Sequence, residues 1–185
     1  MFAPLPADHP LRRLFAGLVE QAMYVDVGMC RPELVNYLTE LLVNFVHVDR
    51  IYALRTAGGQ RIEEVAEMIS EAELGPDARA ITRRRIVHKH VGDFTLFWIG
   101  VFPEGLRRLG SAGRRDHLID YRLQGKRSYA IASDLTEPQD EPPAVVLRQL
   151  SEHFENCAHG LGLVRRGLDE LNPKGFRAVR EGWSE

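Results

Sequence analysis

Helical periodicity dominates the pattern of apolar and polar positions in this chain. Leu11, Leu14, Phe15, Leu18, Val19 and Ala22 recur at i, i+3, i+4 spacing through about Tyr24, which places them on one face of a helix. Pro10 stands near its start, where a missing N–H is tolerated. Pro32 marks a second start, followed by a stripe of Leu34, Leu38, Leu41, Leu42 and Phe45 through about Val46. Residues 47–54 fit either an extension of that helix or a short extended piece before the Gly58-Gly59 break.

Arg61 to Ala72 reads as a third helix, with Ile62, Val65, Ala66 and Ile69 on one side. Asp77 is placed to cap a long helix that starts near Ala78 and ends by Pro103. A short turn over Glu104–Arg108 and a flexible 110–113 connection follow. Arg114 to Leu135 is expected to form a second long helix, bent near Gly125. After the acidic, proline-bearing loop 136–144, Val145 to about Cys157 and Gly160 to about Leu171 complete the set.

Neither sustained period-2 alternation nor paired Asn-Gly turns argue for a sheet. The expectation is an all-α, single-domain helical bundle of about six to eight helices with two long central helices. The bundle spans 1–171, and 172–185 is a C-terminal tail in which Phe176 and Trp183 are the residues able to dock on a core.

Composition leaves that picture intact. The chain has 185 residues, 44% of them apolar and 27% charged, with a formal net charge of −2, so no global field steers it toward nucleic acid or anionic membrane. Two cysteines, Cys30 and Cys157, make no disulfide framework, and a reducing, cytoplasmic setting is expected. Cys30 reads as a small buried residue. The longest uncharged apolar run, Phe94 to Phe102, is about half the ~20 residues a membrane-spanning helix needs.

Chemistry concentrates between Arg83 and Glu104. Val87, His90, Phe94, Phe97 and Val101 share a helical stripe, so His90 is bracketed by core positions, and Asp93 is its i, i+3 neighbour. A second His-x-x-Asp, His117 and Asp120, lies on the other long helix as read from the pattern. Two such pairs on antiparallel helices supply the imidazole and carboxylate ligands that zinc, iron and manganese accept. The competing readings are a structural His–Asp hydrogen bond, a helix break with Asp93 as a cap, and a small-molecule pocket built on the same side chains.

Tyr121, Lys126 and Tyr129 surround Gly125 and form a candidate ligand-binding group, or simply packed tyrosines. Arg83, Arg84, Arg85 and Lys89 are a candidate anion-binding patch that could merge with Arg107, Arg108, Arg114 and Arg115. His153, Glu155, Cys157 and His159 fit no haem-attachment spacing. The chain lacks GxSxG, GxxxxGK[ST], GxGxxG and HExxH signatures.

The leading expectation is therefore a non-enzymatic protein-interaction or regulatory module, able to self-associate as a homodimer and needing no cofactor. A metal-binding bundle acting as a hydrolase or oxidoreductase is the alternative. Binding of phosphate or nucleic acid through the local basic patch is the third reading.

Overall fold

The structure, a computed structural model, describes residues 6, 8–56, 58–75, 80–106, 116 and 119–171. Among them it is an all-α bundle: α1 (Pro10–Glu20), a π-helical continuation (Gln21–Asp26), α2 (Pro32–Phe45), α3 (Val48–Ile51), α4 (Val65–Leu74), α5 (Ile81–Gly100), α6 (Tyr121–Asp134), α7 (Ala144–Glu152) and α8 (Phe154–Leu171). Among the described residues the only extended pairing is a bridge between Arg55 and Arg61. It closes a turn in which Gly59 takes φ 81°, a conformation that glycine adopts without steric cost. Segment 47–54 thus splits between both expected states.

The N-terminal helix follows its stripe, with His9 as N-cap and its Nδ1 accepting from Leu11 N at 3.2 Å. Its last turns widen into π geometry, Val27 N bonding Ala22 O at 2.8 Å. Three starts fall later than the periodicity suggests, among them that of α5, which begins at Ile81 behind Ala80 and not near Ala78. The third helix begins at Val65, not Arg61, and α6 begins at Tyr121, not Arg114. In α6 the reason is local: the Asp120 carboxylate accepts from Arg122 N at 2.9 Å and Leu123 N at 3.1 Å, the arrangement of an N-cap. Asp120 therefore stands before the helix as its cap.

The break between the last two helices falls at His153 (φ −108°, ψ 25°), and Gly160 lies inside α8 with Met23 packed on it. The 20-residue α5 runs unbroken through Gly92-Asp93.

This helix is the axis of the molecule and packs against α2, α4, α6 and α8. Phe94 to Trp98 and Gly100 to Phe102 are buried. The Phe94 ring meets Tyr52, Trp98 and Tyr121 at centroid distances of 5.7, 5.9 and 6.4 Å, and Phe97 meets Phe45 at 5.2 Å. These are the tilted and edge-to-face separations that aromatic quadrupoles favour. Full burial of each such ring contributes roughly 1.5–3 kcal/mol. No helix among the described residues is long and apolar enough to cross a membrane. Asp77, Arg107, Arg108, the 110–115 segment, His117 and the 172–185 tail lie outside the described residues.

Candidate functional site

Three polar side chains of α5, Lys89, His90 and Asp93, sit one turn before its aromatic half. Asp93 is 5% exposed, so its carboxylate needs partners. It has three: Oδ1 accepts from the Tyr37 hydroxyl at 2.5 Å and the Tyr129 hydroxyl at 2.8 Å, and Oδ2 from Lys89 Nζ at 2.6 Å. Tyr37 comes from α2 and Tyr129 from α6, so the carboxylate joins three helices. Burial, reinforced by the adjacent Asp93 charge, pushes both phenols well above their usual pKa. They remain donors at any ordinary pH.

The approach of α6 depends on Gly92. A Cβ at that position would fall 2.7 to 2.8 Å from carbons of the Tyr129 ring, closer than real side-chain contacts allow. The two tyrosine rings meet edge to face, 6.4 Å apart at 78°.

Beside this network, between α2, α3 and α5, is a cavity of about 210 Å³. Tyr37, Glu40, Asn44, Arg50, Lys89, His90 and Asp93 supply its polar wall, and Leu41, Phe45 and Ala53 the apolar remainder. The His90 ring tilts on Phe45 and Phe94, and its Nε2 lies 3.0 Å from the Ile51 carbonyl. A carbonyl only accepts, so Nε2 carries the hydrogen. Burial lowers the His90 pKa, against a smaller opposing pull from Asp93. The ring is accordingly neutral at pH 7. Nδ1 then presents a lone pair, and it has no hydrogen-bond partner among the described residues.

The remaining sequence candidates are dispersed. Asp120 caps α6 and lines a separate cavity with Asp116 and Tyr121, so it does not share the cavity of His90 and Asp93. Among the described residues no group of three or more His, Cys, Asp or Glu side chains is placed to hold a metal ion. The Tyr121 hydroxyl donates to Asp116, and Lys126 pairs with Glu155 at 2.8 and 3.1 Å. Neither shares a site with Tyr129.

The four basic candidates are each engaged by protein. Arg83 donates to Arg55 O at 3.2 Å, Arg84 lies 3.6 Å from Glu73, and Lys89 holds Asp93. Arg85 is 6% exposed. Its guanidinium bonds Thr136 Oγ1 at 2.9 Å and the carbonyls of Glu141 and Pro142 at 3.0 and 3.2 Å, with Asp140 3.3 Å away. Cys30 is exposed, contrary to expectation, whereas Cys157 is buried and its thiol is pushed up to about 12.

Sequence reasoning missed Tyr37, Asn44, Arg50 and Asp116. Tyr37 was findable: it lies three residues after Leu34 and four before Leu41, on the edge of the α2 stripe. Asp116 is 2% exposed and its oxygens accept from Val65 N and Ala66 N, both at 2.8 Å, across 50 residues of chain. No local pattern encodes that contact. No family model matches the chain, and no curated protein or solved structure is significantly similar to it.

Proposed function

We propose that the chain is a non-enzymatic binding module whose ligand is a small polar molecule seated in the cavity between α2, α3 and α5. The observation that carries this reading is the state of His90. Its Nε2–H is committed to Ile51 O, its ring lines the cavity, and its Nδ1 makes no hydrogen bond among the described residues.

The complementary ligand has a hydroxyl or ammonium donor for Nδ1, Lys89 being already committed to Asp93. At about 210 Å³ the space is below the roughly 300–1,000 Å³ of sites for drug-sized ligands, which favours a short hydroxy or amino compound. Recognition is better supported than catalysis. Both oxygens of Asp93 are occupied and both tyrosines hold their protons, so the network is a fixed wall and not a proton carrier.

Imidazole nitrogen NMR tests this directly, with L-serine and glycolate as probes and acetate as the donor-less control. The expected result is a His90 ring protonated at Nε2 whose Nδ1 resonance moves with serine or glycolate and not with acetate. A ring that carries its proton on Nδ1, or that ignores both probes at millimolar concentration, overturns the reading.

A further inference from the structure

A larger cavity lies elsewhere. It is a groove of about 410 Å³ between the end of α5, the first turn of α6 and one face of α8. Ile99, Pro103 and Phe154 give it an apolar floor, while Arg122, His159 and Arg166 stand around it. These three side chains make no hydrogen bond or ion pair among the described residues. The groove's one carboxylate, Glu155, is held by Lys126, which keeps its pKa below the usual value. The rim is therefore cationic beyond what the protein itself neutralises.

Gly162 is the second observation. It sits within α8, where glycine is about 1 kcal/mol worse than alanine, yet no neighbour requires it. A Cβ there meets only Gly100 O, at 3.5 Å, an ordinary contact. At Gly160, two residues earlier, the Met23 sulfur already occupies the space of a side chain. The missing side chain of Gly162 leaves that part of the groove open.

We propose that this groove binds a hydrophobic carboxylate, its apolar body lying over Gly162 and its carboxylate on the Arg122–Arg166 rim. Floor and rim together match such an amphipathic anion, and the volume falls in the range of about 300–1,000 Å³ typical of small-molecule sites. Guanidinium suits the head group because its fork presents paired donors to a carboxylate.

Calorimetry with indole-3-acetate, and with indole as its uncharged counterpart, tests the assignment. Indole-3-acetate is expected to bind at least about tenfold more tightly than indole, the ratio that one charge-assisted contact supplies. Arg122→Gln and Arg166→Gln each weaken it about tenfold by the same argument. Gly162→Met fills the floor and abolishes binding, while its thermal midpoint equals or exceeds that of the parent chain. Absence of binding by indole-3-acetate, or undiminished binding by Gly162→Met, overturns the proposal. Gly162 lines no part of the His90 cavity, so that failure leaves the α2–α3–α5 reading standing.

Discussion

The Tyr129 hydroxyl donates to Asp93 Oδ1 at 2.8 Å while the same ring lies against Gly92, the preceding residue of α5. One side chain thus satisfies a buried charge and sets the spacing of two helices. Tyr129→Phe keeps the ring and removes the donor, with an expected loss of about 1–3 kcal/mol in urea unfolding. Tyr37→Phe removes the other donor to the same oxygen. Because the two share one acceptor, a double-mutant cycle is expected to give a coupling of at least ~0.5 kcal/mol. Simple additivity would show that the hydroxyls act independently.

Two glycines are expected to respond with opposite signs. Gly92→Ala drives a methyl into the Tyr129 ring and destabilises by about 1–3 kcal/mol, as overpacking does. Gly162→Ala makes only an ordinary contact with Gly100 O and stabilises by up to ~1 kcal/mol through helix propensity. Thermal melts of the two variants, compared at one pH, decide the matter.

Asp116 caps α4 from a distant part of the chain. Asp116→Ala strands the Val65 and Ala66 amides, for an expected loss of about 1–3 kcal/mol. Hydrogen exchange at Val65 and Ala66 is expected to quicken more than at the centre of α5. Equal acceleration at both places would mean that the contact supports the whole fold and not the start of α4.

Stability is expected to fall on mild acidification. His88 and His90 both have pKa values lowered chiefly by burial. Above the unfolded pKa near ~6.5 both states are neutral at these positions and no penalty applies. As pH falls below it, the unfolded chain takes protons that the folded chain refuses. Each histidine then removes up to about 1.4 kcal/mol per pH unit until its folded pKa is reached. Glu73 Oε1, 3.2 Å from His88 Nε2, opposes the shift at that residue. His90→Phe is expected to flatten the profile just below about pH 6.5, the unfolded value; an unchanged slope would remove His90 as its source.

The helices were legible where an apolar stripe met a proline or a cap. The Leu34–Phe45 stripe behind Pro32 and the all-round apolar run from Phe94 mark α2 and the core of α5. Starts set by distant or competing contacts were not legible. Asp120 starts its own helix by accepting its first amides, and Asp116 caps a helix some 50 residues away. At the site, His90 and Asp93 were visible as polar residues flanking core positions. Their pairings were not, because Tyr37, Tyr129 and Ile51 reach them from three other elements. Arg85 looked like one of four surface cations, since charge alone does not reveal which member of a run faces inward.

That inward arginine alters how the chain can be re-engineered. Residues 136–143, acidic and rich in proline, are what a designer would select for a new terminus, a fused tag or a circular permutation. Yet Thr136 Oγ1 and the carbonyls of Glu141 and Pro142 are the acceptors of the Arg85 guanidinium. Opening the chain there would leave a buried cation on the central helix without its acceptors.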